Sequence, residues 1–184
     1  MKKSFQSGIL NKSPASFSMD KLLWFNKYYL DQMSIDQLIE ALSIEEFDGS
    51  EYSKIILNTI RDRCSTLNEF SSNAGYFFKD PKNYDEALII KHCKKDSFEH
   101  LSLLREKFEE LRTWEQMYIK EVIDKVVADF EIGFGKIGLP LRLALTAKVN
   151  SPSIDLVCQL LGRDITLNRI EKFLTKIQNL KTDQ

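Results

Sequence analysis

The chain has 184 residues, of which 43% are apolar, so it holds enough material for one large helical domain or two small ones. Only 7 Gly and 4 Pro are present, which excludes collagen-like and low-complexity classes. No apolar run reaches the roughly 18 residues that a membrane span needs, and the basic start Met1-Lys2-Lys3 lacks the apolar segment of a secretory signal.

The net charge of −1 hides an uneven distribution. Residues 1–30 carry +4, residues 31–135 carry −9 and residues 136–184 carry +4. A nucleic-acid footprint would therefore fall on the two basic ends and on selected surfaces of the middle. Cys64, Cys93 and Cys158 are widely spaced and odd in number, which points to free thiols in a reducing, cytoplasmic setting.

Residues 4–19 are Ser-rich and aperiodic, and read as an extended lead-in. From Asp20 the pattern is helical, with Leu22, Leu23, Phe25, Tyr29 and Leu30 as an apolar stripe. Trp24 and Phe25 read as helix core. Ser34-Ile35-Asp36-Gln37 is a capping box that opens a short helix to about Leu42. A helix over Tyr52–Arg63 follows, and Thr66-Leu67-Asn68-Glu69 is a second capping box for a helix to about Phe78. Two longer helices are expected at about 97–110 and 114–130, the second capped by Thr113.

Gly133, Gly135 and Gly138 mark a boundary between residues 20–132 and a tail, 133–184. The tail reads as a helix from Pro140 to Ala147 with Pro in its first turn. A further helix has Ser151 as N-cap and Pro152 as N1, and ends at Gly162. A last amphipathic helix uses Ile165, Leu167, Ile170, Phe173, Leu174 and Ile177. The expected fold is all-α, in two consecutive helical subdomains.

No catalytic residue is identified. Phosphate-loop, nucleophile-elbow, dinucleotide and HExxH motifs are all missing from the sequence. His92-Cys93 with His100 lacks a second ligand pair at zinc spacing, so no metal site is expected. Polar and aromatic residues instead gather near helix starts: Lys21, Trp24, Asn26 and Lys27, then Arg63, then Arg142 with Ser151-Pro152.

Three stretches resemble the helical C-terminal part of bacterial glutamyl-tRNA synthetases. Asn11-Lys12-Ser13-Pro14-Ala15-Ser16-Phe17 followed by Lys21-Leu22-Leu23-Trp24-Phe25-Asn26 is similar to the stretch that leaves that family's catalytic half. Arg61-Asp62-Arg63 with Thr66-Leu67-Asn68-Glu69-Phe70 and Tyr76-Phe77-Phe78 resembles its middle segment. Leu139-Pro140-Leu141-Arg142-Leu143-Ala144-Leu145-Thr146, Ser151-Pro152 and Leu160-Leu161-Gly162 resemble its C-terminal signature. Ala147 and Ser153 stand where that family usually has Gly.

The resemblance implies a helical cage that binds the anticodon of tRNA(Glu), with no DNA or membrane partner, in an enzyme that acts as a monomer. It implies that Arg63 faces the third anticodon base and that Arg142, Ser151, Pro152 and Ile154 surround the first, as two separate sites. Lys12, Lys21 and Lys27 are expected at the tRNA backbone, and Trp24 and Asn26 at the same backbone or at the junction with the catalytic half. Glutamate anticodons end in C and glutamine anticodons in G. Cytosine offers acceptors to a guanidinium that only donates, whereas guanine offers donors to it.

The nucleotide-fold half, with its ATP and magnesium chemistry, is expected upstream. These 184 residues are therefore expected to hold no cofactor and to be inactive alone. The competing reading is a helical protein–protein adaptor that never contacts RNA.

Overall fold

The computed structural model describes residues 18–182. Lys12 and residues 1–17 of the expected lead-in lie outside the described residues. Within them the chain forms α-helices and a 3-10 turn, with no strand.

The first four helices are α1 (Met19–Gln32), α2 (Ile35–Leu42), α3 (Glu51–Ile60) and α4 (Leu67–Phe78). Local chemistry explains most of their ends. The Ser34 box forms in both directions: Gln37 N donates to Ser34 Oγ at 3.2 Å, and Ser34 N donates to Gln37 Oε1 at 2.8 Å. Ser50 caps α3 by accepting from Ser53 N at 3.2 Å. After Ile60 the chain tightens into the 3-10 turn Arg61–Arg63, closed by Cys64 N donating to Arg61 O at 3.1 Å.

The box expected at Thr66 does not form. Thr66 is the N-cap but its side chain caps nothing. Glu69 Oε2 accepts instead from Ser65 N at 2.7 Å, one residue earlier, and so ties α4 to the end of the 3-10 turn.

The remaining helices are α5 (Glu86–His92), α6 (Ser97–Glu110), α7 (Gln116–Asp129), α8 (Gly135–Thr146), α9 (Ile154–Leu161) and α10 (Arg163–Thr182). Helix α5 was not foreseen; its signal is one Asp85 carboxylate, which accepts from Ala87 N at 2.9 Å and Leu88 N at 3.4 Å. Helix α7 starts at Gln116, not at a Thr113 cap: Gln116 N donates to Gln159 Oε1 of α9 at 2.5 Å. Its first turn is thus satisfied from across the fold.

Helix α8 begins five residues before Pro140, which lies buried inside it. Gly138 permits this early start: a Cβ there would come within 2.5 Å of the Phe134 ring, which folds back over the first turn. Pro140 costs one intrahelical hydrogen bond, because it has no N–H. The helix stops at Ala147, which takes a left-handed φ of 53° where glycine is usual.

One apolar core runs through the fold, from Leu38, Ile56 and Phe70 to Leu104, Ile123, Leu141, Val157 and Phe173. Helix α10 packs on α6, α8 and α9, α6 packs on α7 and α8, and α7 packs on α9. The 133–138 segment joins α7 to α8, and both of these helices pack on α6 and on α9.

Helix α1 departs from its expected burial. Only Leu30 is buried, whereas Trp24 is 63% and Tyr29 66% exposed. Periodicity marks an apolar face but does not say what covers it. Ile165 is likewise exposed on α10.

Candidate nucleic-acid interface

Arg63 sits at the end of the 3-10 turn, and its position is fixed from two sides. From α1, Lys27 Nζ donates to Arg61 O at 3.1 Å and to Asp31 Oδ1 at 2.5 Å, while Asn26 Nδ2 donates to Ser65 O. From α4, Asn73 Nδ2 donates to Arg63 O at 3.4 Å. Arg61 donates to the Leu30 and Met33 carbonyls and so locks the end of α1 to the same turn. Apart from the Lys27–Asp31 pair, these bonds hold backbone carbonyls. Among the described residues the exposed Arg63 guanidinium donates to no acceptor and joins no ion pair.

The opposite wall is the turn 150–152. Arg142 of α8 reaches across it: Nε donates to Ser151 Oγ at 2.8 Å and Nη2 to Pro152 O at 3.4 Å. Ser151 Oγ donates in turn to Pro152 O at 2.9 Å. The expectation that Ser151 caps a helix is therefore corrected. The cap position is Ser153, whose side chain makes no cap bond, while the Ser151 hydroxyl accepts from Arg142 and donates to Pro152 O. Lys148 Nζ donates to Ser72 O at 2.5 Å and holds this turn against α4.

Between the two walls lies an open cavity of about 480 Å³. Arg63, Ser151 and Pro152 line it together with Tyr76, Asn73 and Asn150. The two sites expected from the sequence are one cavity: α4 runs beneath both walls and brings them together. Arg142 stands at its edge as the residue that shapes the turn. Burial lowers its guanidinium's proton affinity, and the nearby Arg63 charge lowers it further. Arg142 nevertheless remains cationic, since arginine does not deprotonate in proteins.

Ile154 does not join the cavity wall. It is 2% exposed and packs in the core at the start of α9. Lys21 and Trp24 are exposed on α1 and do not line the cavity, while Asn26 and Lys27 are tied to the Arg63 turn. His100 is buried, with its ring centroid 4.4 Å from that of Phe130.

Two contributors were not singled out as site residues in the sequence, although Tyr76 lies in the family-like segment Tyr76-Phe77-Phe78. Tyr76 is 6% exposed, and burial pushes its phenol well above the usual range against the pull of Arg63 and Arg142. Arg169 of α10 is 2% exposed and donates to Asp80 at 2.9 Å, Tyr76 O at 2.8 Å, Leu145 O at 2.7 Å and Lys79 O at 3.3 Å. It joins the end of α4 to the end of α8, the two helices that carry the cavity.

The family model described as "Anticodon binding domain" matches residues 24–174. Among solved structures, the chain is similar to a glutamate tRNA ligase from Elizabethkingia meningosepticum CCUG26117 in complex with its amino acid. That match has a TM-score of 0.79 at 24% identity over 94% of this chain and 35% of that one. A glutamate-tRNA synthetase from Elizabethkingia anophelis matches with a TM-score of 0.74 at 24% identity, over 93% of this chain and 34% of that one. The chain thus spans about a third of the length of either structure. With the family model covering 24–174 and the cavity lying wholly within that range, the chain belongs to the anticodon binding domain family.

Proposed function

We propose that this chain is the anticodon-reading part of a glutamate–tRNA ligase and takes the anticodon loop of tRNA(Glu) in the Arg63–Ser151 cavity. The observation that carries the reading is the Arg63 guanidinium, held by its backbone at the cavity wall with no side-chain donor engaged by any of the described residues. Loop nucleotides splay their bases outward and present their pairing edges, which suits a recessed, polar cavity. Cytosine N3 and O2 accept from the guanidinium fork, whereas guanine meets it with N1–H and N2–H donors. Arg142, Ser151 and Pro152 form the fixed opposite wall. The ATP- and magnesium-dependent attachment of glutamate belongs to the remainder of such a ligase, and the present residues supply recognition only.

Filter binding with transcripts tests the reading. The chain is expected to retain tRNA(Glu) at low salt, to release it as salt rises, and to show no aminoacylation by itself. A protein adaptor would bind neither tRNA(Glu) nor tRNA(Gln), and that result would remove the proposal.

A further inference from the structure

Tyr76, which lines the cavity, carries a hydroxyl that none of the described residues satisfies. The Tyr76 hydroxyl is sealed from water and has no hydrogen-bond partner. Tyr76 lines the cavity that Arg63 borders and feels both the Arg63 and the Arg142 charge. Buried hydroxyls are nearly always paired, so an orphan beside a cavity marks the place of a missing partner. The two cations near it only donate and offer nothing to receive the phenol proton.

We propose that Tyr76 is a further base-contacting residue: its hydroxyl, enclosed while the cavity is empty, turns outward when a base enters and pairs with the edge of the nucleobase that Arg63 reads. The contact rests on the reading of this cavity as the anticodon site. A hydroxyl both donates and accepts, so it serves the exocyclic amine of cytosine or a carbonyl oxygen equally. Arg63 then supplies the selectivity, and Tyr76 supplies affinity and fixes the depth at which the base sits. The α4 backbone supports this geometry, since the Tyr76 carbonyl is held by Arg169 Nη1 at 2.8 Å.

The test is Tyr76→Phe in the whole chain, with an anticodon stem–loop of tRNA(Glu) sequence as the probe. The same hairpin with an abasic third anticodon position is the control. Affinity for the intact hairpin is expected to fall about 5- to 10-fold, the size of one lost hydrogen bond in a dry site. The abasic hairpin is expected to bind the original chain and Tyr76→Phe equally. The melting temperature is expected to hold or rise, because the variant removes an unpaired buried hydroxyl.

Equal binding of the intact hairpin by Tyr76→Phe and the original chain, with Arg63→Ala impaired, overturns the Tyr76 contact and leaves the anticodon reading standing. An equal loss on both hairpins, or a clear fall in melting temperature, assigns the hydroxyl a structural role and also overturns it. No binding of the intact hairpin by the original chain overturns the anticodon reading and the Tyr76 contact with it.

Discussion

Arg142 Nε donates to Ser151 Oγ at 2.8 Å across nine residues of chain, and this bond shapes one wall of the cavity. The bond is largely shielded, with Ser151 buried and Arg142 half-buried. Its loss leaves a guanidinium N–H without an acceptor in a place where water reaches poorly. Ser151→Ala is expected to destabilise the fold by about 1–3 kcal/mol in urea titration. Unchanged stability would mean that the turn is held without this bond.

Arg169 has the larger structural role. Three carbonyls and Asp80 accept from it, and it is almost wholly enclosed. Arg169→Met keeps much of the volume but strands those acceptors. It is expected to cost about 3 kcal/mol, toward the lower end for a broken buried ion pair because Asp80 is half exposed. Arg169→Lys should rescue little, since an ammonium cannot span four acceptors as a planar fork does.

Asp80 gives the acid response a direction. A hydrogen bond from Lys172, then Arg169, hold its carboxyl below the ordinary carboxylate range. Because the folded pKa is the lower one, the stabilisation is complete above the unfolded value of about 3.9 and drains away as pH falls through the folded value. Asp80→Asn is therefore expected to be less stable at neutral pH and to lose less on acidification. Urea midpoints across an acid pH series check this, and parallel curves for the two proteins would contradict it. Exposure of the carboxylate keeps the effect small.

Ala147 ends α8 at φ 53°, a left-handed conformation that an L side chain resists. Ala147→Gly is expected to raise stability by up to about 1 kcal/mol, with the relief of strain partly offset by the freer unfolded chain. Thermal melting decides the sign, and a lower melting temperature would show that the Ala147 methyl group contributes packing.

What was legible in the sequence was mostly local. The Ser34–Gln37 box could be read because both partners lie within one turn. The ends of α4 and α6 followed from apolar spacing for the same reason. The errors arise where a distant residue claims a local group. Ser151 looked like a cap, but Arg142 takes its hydroxyl. Thr113 looked like a cap, but Gln159 of α9 satisfies the start of α7.

The site followed the same rule. Arg63 and Arg142 with Ser151-Pro152 were identified through family resemblance, but as two places. Their union needs α4 beneath them, with Glu69 and Asn73 fastening one wall and Ser72 the other. Tyr76 has no distinguishing pattern, because an aromatic residue in an apolar run reads as core until its hydroxyl is seen without a partner.

The most direct test of the account measures Kd for two anticodon stem–loops that differ only in C or G at the third anticodon position, with the original chain and with Arg63→Ala. The account predicts a preference for C of about 5-fold or more in the original chain, and loss of that preference in Arg63→Ala through weaker binding of the C hairpin. Equal affinity of the original chain for both hairpins, or a preference that survives in Arg63→Ala, would contradict it.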